Sequence, residues 1–215
     1  QTLTMIHILD LHFLSFDHAI ASFLVETSEG PVLIESGPYS TFPTLVEQIK
    51  AAGFAPTDIK HVLLTHIHFD HAGAAWALAQ NGAQIFVHPF GAGHLAQPGK
   101  LWKSAKRIYQ DDMERLWGDM QPIASERITA VDHEQPLVIG DTTFRAWHTP
   151  GHASHHIAWQ LDDIVFTGDV AGVRISEADK IVEPPCPPPD INVEDWLDSI
   201  KTIRLLDPKA IYLTH

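Results

Sequence analysis

The chain reads as an α+β sandwich, with layers of strand at the centre and helices outside. Three observations predict it. Short apolar runs of strand character recur along the 215 residues. Segments of helical period are interspersed with them, and several apolar runs end abruptly in His or Asp. Elements mixed in this way favour stacked layers around one core.

Residues 3–9 and 19–27 alternate or run apolar as strands do, and Gly30-Pro31 separates the second from a strand at 32–35. Phe42, Leu45, Val46 and Ile49 share a helical face over 41–52, which Gly53 stops. A strand at 61–66 leads to a helix over about 72–80, the turn Asn81-Gly82, and a strand at 84–88. Residues 90–125 break this rhythm. Trp102, Tyr109, Met113, Leu116 and Met120 fall at helical spacing, with Lys103, Lys106, Arg107, Asp111 and Glu114 elsewhere. An amphipathic helical insertion is expected, packing across the sheet or walling a substrate site. Residues 127–132, 136–139 and 142–148 read as strands, with Gly140-Asp141 as a hairpin turn, followed by 156–161 and 163–167. The run Glu183-Pro184-Pro185-Cys186-Pro187-Pro188-Pro189 is neither helix nor central strand, so a stiff extended loop is expected. Asn192 or Asp190 can cap a final helix over 193–206, whose apolar face is Val193, Trp196, Leu197, Ile200 and Ile203. No repeat, low-complexity tract or linker divides the chain, so one domain over 1–215 is expected.

At 45% apolar residues, the chain can bury a core without disulfide staples. Its single cysteine, Cys186, excludes an intrachain disulfide and a thiolate-rich zinc site. No run approaches the roughly 18 apolar residues of a membrane span, and no basic segment precedes an apolar one near Gln1. The cytoplasm is therefore the expected address. The net charge of −13 argues against a protein that tracks phosphate backbones. A small-molecule substrate is expected, with neither nucleic acid nor membrane as partner. Oligomeric state is not legible.

The most informative stretch is Leu64-Thr65-His66-Ile67-His68-Phe69-Asp70-His71, three imidazoles and a carboxylate directly after the apolar run Val62-Leu63-Leu64. Such nitrogen and oxygen donors suit zinc, iron or manganese. Four ligands exceed what one catalytic ion needs if a position is to stay open, so the spacing points to two ions side by side. The competing reading is a cluster of ordinary histidines in a chain holding 15. Downstream candidates weigh against it: Thr149-Pro150-Gly151-His152 after a turn, Ile164-Val165-Phe166-Thr167-Gly168-Asp169 and Ala210-Ile211-Tyr212-Leu213-Thr214-His215. Each places a donor where a buried strand or turn gives way to a loop, as a rigid scaffold for convergent side chains requires.

HxHxDH, then TPGH, then TGD, then a strand ending in Thr-His resembles the metallo-β-lactamase-fold hydrolases in order and character. The likeness extends to Val32-Leu33-Ile34-Glu35-Ser36-Gly37 and so to nearly the whole chain. The resemblance sharpens the expected fold to an αβ/βα sandwich of two mixed β-sheets flanked by helices. It implies His66, His68 and His152 at a first metal, Asp70, His71 and His215 at a second, and Asp169 bridging both. Two divalent ions are implied, zinc foremost, with iron or manganese as alternatives. Glu35 departs from the pattern, since many relatives carry Asp there. His215 is a second departure: relatives continue past this Thr-His, and a final ligand lacks the following backbone that would fix it. A longer tail is therefore expected, and the second site is the less firmly specified.

Two adjacent divalent ions can present hydroxide near neutral pH. The reaction implied is attack of a bridging hydroxide on a carbonyl or phosphorus centre, with Asp70 as catalytic residue, orienting the nucleophile or accepting its proton. Cys186 has no activating base in the sequence. His156 is expected to support or pack beside the ligands, His155 to lie exposed or at the rim, and His18 to be structural. Trp102 and Trp117 are the tryptophans that suggest substrate contact. Ester or thioester hydrolysis like that of hydroxyacylglutathione hydrolases leads, because a thiolate of pKa about 8.5 leaves without a general acid. Val170-Ala171-Gly172-Val173-Arg174 departs from the Thr-Leu-Phe usual in glyoxalase II enzymes. That family's glutathione-holding basic residues and helical C-terminal domain have no equivalent either. Alternatives are a lactonase of acyl-homoserine-lactone type, a phosphodiesterase or nuclease, a mononuclear-iron persulfide dioxygenase, and a non-catalytic metal-binding protein.

Overall fold

Two mixed sheets face each other across the core in the computed structural model, which describes residues 4–176, 178, 180–187 and 189–215. Leu3, in the first expected strand, and Pro188, in the proline-rich run, lie outside the described residues. The first sheet comprises β1 (Ile6–Asp10), β2 (Ala21–Thr27), β3 (Gly30–Ile34), β4 (His61–Leu63), β5 (Gln84–Val87) and β6 (Ile128–Ala130), in that order. The β1–β2 and β2–β3 pairs are antiparallel, and the rest of the sheet is parallel. The second sheet contains β7 (Pro136–Ile139), β8 (Thr142–His148), β9 (Ile157–Leu161), β10 (Ile164–Gly168) and β11 (Ala210–Leu213), ordered β11-β10-β9-β8-β7. Only β10–β11 is parallel in it.

Strand periodicity explains the layering. Successive side chains alternate between faces, so Phe23, Ile34, Leu63 and Phe86 meet Phe144, Trp159 and Phe166 of the other sheet in one buried cluster. Their neighbours Leu24, Leu33, Val62 and Ile85 point the opposite way, onto helices α1 (Phe42–Ala51) and α3 (Ala75–Gln80). On the far side Ala158 and Val165 pack against Trp196 and Ile203 of α7 (Val193–Leu205). Helix, sheet, sheet, helix is the resulting order, an α+β arrangement. Strands buried on both faces read as continuous apolar runs, which is why alternation was faint in the sequence.

Several boundaries differ from expectation for local reasons. Gly30 and Pro31 sit inside β3, paired with Thr27 and Glu26, so the turn is Ser28-Glu29. The helix expected over about 72–80 is α3, starting at Ala75, and a separate short helix α2 (Phe69–Ala72) precedes it. Region 90–125 carries α4 (Pro89–Ala96), α5 (Gly99–Tyr109) and α6 (Met113–Trp117). Gln110, with φ 48°, breaks the apolar stripe between α5 and α6. Asn192 caps α7, its side-chain oxygen accepting the Asp195 N–H at 3.1 Å. Val193, Leu197 and Ile200 of α7 are exposed, so only part of the expected apolar face packs inward. No helix among the described residues is long and apolar enough to cross a membrane.

Candidate metal centre

Strand β4 ends at Leu63, and the HxHxDH motif follows, His66 and His68 in the loop after the strand and Asp70 and His71 in the short helix α2. The backbone of that loop is pinned on each side. The Leu64 N–H donates to Phe86 O at 3.0 Å, the Ile157 N–H to Thr65 O at 2.6 Å, and the Trp159 indole N–H to Leu64 O at 2.9 Å. The motif is therefore held by both sheets before any ligand is considered.

Two adjacent donor groups result. His66, His68 and His152 form one, and Asp70, His71, Asp169 and His215 the other, with the donor atoms of each group mutually within 4.8 Å. In the first, His66 Nε2 lies 3.0 Å from His68 Nδ1 and 3.2 Å from His152 Nε2, and His152 Nε2 is 3.1 Å from His68 Nδ1. In the second, Asp70 Oδ2 is 3.1 Å from His215 Nε2 and 3.4 Å from His71 Nε2. Asp169 reaches into both groups. Its Oδ2 is 3.2 Å from His152 Nε2, and its Oδ1 is 3.3 Å from His71 Nε2.

Outer contacts fix which ring nitrogens face inward. The Nδ1–H of His152 donates to Pro185 O at 2.8 Å, that of His215 to Ala19 O at 2.8 Å, and that of His71 to Glu35 Oε2. Each leaves its Nε2 lone pair directed at the centre. Oxygen acceptors behind ligating histidines do this at metal sites generally. Among the described residues Asp169 Oδ1 is buried without a hydrogen-bond partner, which a native interior rarely tolerates without an ion or water. Converging lone pairs and an orphaned carboxylate oxygen fit divalent cations.

Electrostatics separate the two groups. Burial, reinforced by neighbouring imidazoles, holds His66 well below its ordinary pKa and brings His68 down to about 4. His152 is lowered too, burial outweighing Asp169. Burial would also lower His71 and His215, but carboxylates override it. Asp169, Asp70 and Glu35 hold His71 well above its usual value, and Asp70 and Asp169 raise His215. Burial alone would raise Asp70, yet the charge of His71 and contacts to His71 and His215 hold it well below the carboxylate range.

Contacts outside the motifs complete the centre. Glu35 leaves β3 at φ 66°, is fully buried, and accepts the Thr65 N–H at 2.7 Å as well as His71. His156 Nε2 accepts the Asp169 N–H at 3.2 Å, and its Nδ1–H donates to Thr149 Oγ1 at 2.8 Å. Thr214 and His215 are anchored through their carbonyls. Thr214 O accepts the Ala21 N–H at 2.9 Å, and His215 O the Arg174 N–H at 3.1 Å. His155, expected exposed or at the rim, is instead buried against the rings of His66 and His68, and it lines the cavity. Trp117 lines that cavity, whereas Trp102 packs edge-on against Phe69 at 5.8 Å. His18 lines the mouth. Nearby, His12 and Asp17 form an exposed pair at 2.8 Å, a kind worth little energetically. Cys186 is exposed.

Glu35 supports a quantitative expectation. Glu35→Asp shortens the carboxylate by one methylene, so it no longer spans the Thr65 amide and His71. Metal affinity at the second group should fall about 10–100-fold, with the first group unaffected. Zinc titration against a chromophoric chelator resolves the two steps, and an unchanged weaker step would refute this role.

Residues 16–215 match the metallo-beta-lactamase superfamily. The chain belongs to that family. It is 29% identical over 161 residues to a metallo-beta-lactamase fold-containing protein of Sulfurisphaera tokodaii, covering 73% of this chain and 60% of that protein. An N-acyl homoserine lactonase of a Bacillus species is 29% identical over 179 residues, with the same coverage of each chain. An atrochrysone carboxyl ACP thioesterase of Pseudocercospora fijiensis is 34% identical over 114 residues, 52% of this chain and 25% of the thioesterase. The chain thus spans 60% or less of the length of these curated relatives. The crystal structure of an archaeal superfamily protein from Sulfolobus tokodaii shares the fold, with a TM-score of 0.79 at 23% identity, covering 99% of this chain and 80% of that one.

Proposed function

We propose that this chain is a metal-dependent hydrolase of ester-type acyl bonds (ester, thioester or lactone) in small substrates with an apolar acyl part. The carrying observation is the position of Asp169, within 3.3 Å of both donor groups and lining a cavity of about 660 Å³. Phe16, Leu101, Ile108, Trp117 and Ile175 supply apolar wall above it. Relatives named as an N-acyl homoserine lactonase and an ACP thioesterase are compatible with that substrate class.

In this reading His66, His68 and His152 would hold one divalent ion and Asp70, His71 and His215 another, with Asp169 as a ligand available to both; zinc is the leading choice. Such ions, when bound, supply a hydroxide nucleophile and polarise the scissile carbonyl. Asp70 faces the cavity. It would orient the nucleophile or accept its proton. Arg174 is the sole Lys or Arg among the described lining residues, which weighs against glutathione conjugates with their two carboxylates. The net charge of −13 weighs against nucleic acid. Four donors at the second group weigh against a one-iron dioxygenase. The same reading places the protein in the cytoplasm with a small molecule as its partner.

Metal content and turnover on one sample test the proposal. Two divalent ions per chain are expected, with hydrolysis of acyl esters, thioesters or lactones lost to a chelator and restored by zinc. One iron with oxygen uptake and no hydrolysis would replace the reading, and absence of bound metal would end it.

A further inference from the structure

His155 is the buried titratable group that the metal assignment leaves unused. Its ring stacks 6.1 Å from that of His66 at 19° and meets that of His68 edge-on at 5.6 Å, so two ligands of the first group hold it in place. The Ile67 N–H donates to His155 Nδ1 at 3.4 Å. That contact places the ring proton on Nε2. Nε2–H has no acceptor among the described residues, and the ring lines the substrate cavity. An immobilised N–H without a protein acceptor is a preorganised site for an oxygen of the ligand.

We propose that His155 is a substrate-binding catalytic residue whose Nε2–H donates a hydrogen bond to the acyl oxygen of the substrate, beside the first donor group. The inference rests on the hydrolase reading above and names a contact within it. As the nucleophile adds to the acyl carbon, the carbonyl π pair moves onto that oxygen, and the hydrogen bond strengthens with the charge. Nothing is transferred, since the proton remains on Nε2. Gln can present an N–H near the same point, whereas Leu fills similar space without a donor.

The test uses the zinc-loaded full chain and two readouts. Turnover of 4-nitrophenyl hexanoate and γ-decalactone reports catalysis, and calorimetric binding of hexanoate reports the same oxygen contact without chemistry. His155→Leu is expected to lower kcat about 100-fold with KM changed less than about threefold. Hexanoate should bind at least tenfold more weakly, and zinc content should stay at the wild-type value. His155→Gln should recover most of both losses. Equal impairment of Leu and Gln, or loss of zinc in both, would make His155 a packing residue and overturn the proposal. So would wild-type behaviour of His155→Leu in either readout while His66→Ala abolishes both. Should the wild-type chain bind hexanoate through His155 yet cleave neither probe, the donor assignment stands and the hydrolase reading fails. Should it bind no hexanoate, the donor assignment fails.

Discussion

Asp169→Ala is expected to lower hydrolytic turnover by at least about 10³-fold, roughly 4 kcal/mol of transition-state stabilisation, and to reduce bound metal from two ions to one. The asymmetry follows from geometry. His66, His68 and His152 still converge within 3.2 Å of one another after the change, enough to retain an ion. The second group loses the carboxylate oxygen lying 3.3 Å from His71 and 3.5 Å from His215, and with it negative charge that a second cation would need. Asp169→Asn separates charge from shape. It keeps an oxygen donor and the buried volume, so it should fold as wild type while losing most second-ion affinity. Elemental analysis beside turnover checks both variants. Two ions retained at wild-type affinity in Asp169→Ala would show that the bridge is not part of the centre.

How far such a centre can be read from sequence depends on whether the information is local. His66, His68, Asp70 and His71 fall within six consecutive residues, in the loop after β4 and the helix α2 that follows it, and the placement of His152, Asp169 and His215 after a turn or strand singles them out. All seven lie in the two adjacent groups. The contacts that aim them were not legible. Glu35 stands 36 residues before His71, Pro185 lies 33 residues after His152, and Ala19 lies 196 before His215. Two of these use backbone carbonyls, which leave no mark in side-chain identity. Glu35 had a signal, a carboxylate closing an apolar strand, but its target was invisible. His155 gives no local sign of burial, because it packs on Ile67 and on His66 and His68, more than 80 residues away in the chain. Helical period likewise could not say which half of a broad apolar stripe faces inward. Trp196 and Ile203 of α7 are buried while Val193, Leu197 and Ile200 are exposed. Fold class survives such errors, since the two sheets depend on many strands at once.

Gly151→Ala is expected to destabilise the protein by about 3 kcal/mol or more. Sequence suggests only that this glycine eases a turn before His152. The structure adds a second demand. Its φ is 136°, where an L side chain is strained, and a Cβ would lie 2.3 Å from both Cα and Cβ of Trp196 and 2.5 Å from its nitrogen. Backbone atoms cannot swing aside as a side-chain tip can, so α7 or the turn must move. Overpacking of this kind costs about 1–3 kcal/mol, and the unfavourable φ adds about 1–2 kcal/mol. Helix and turn are also fastened together. The Asn192 N–H donates to Gly151 O at 2.8 Å, and the Ser199 hydroxyl to Pro150 O at 2.6 Å. Displacing one strains both bonds and turns His152 away from His66 and His68. The melting temperature should fall by roughly 10 °C, at about 2–4 °C per kcal/mol for a chain of this size, and the first metal should bind more weakly. Gly53→Ala separates close approach from backbone strain. Gly53 also has a positive φ, 94°, but a Cβ there meets nothing within 4 Å. It should lose the conformational component alone and leave the metal centre untouched. If the two variants melted together, contact between α7 and the turn would not be what the glycine serves.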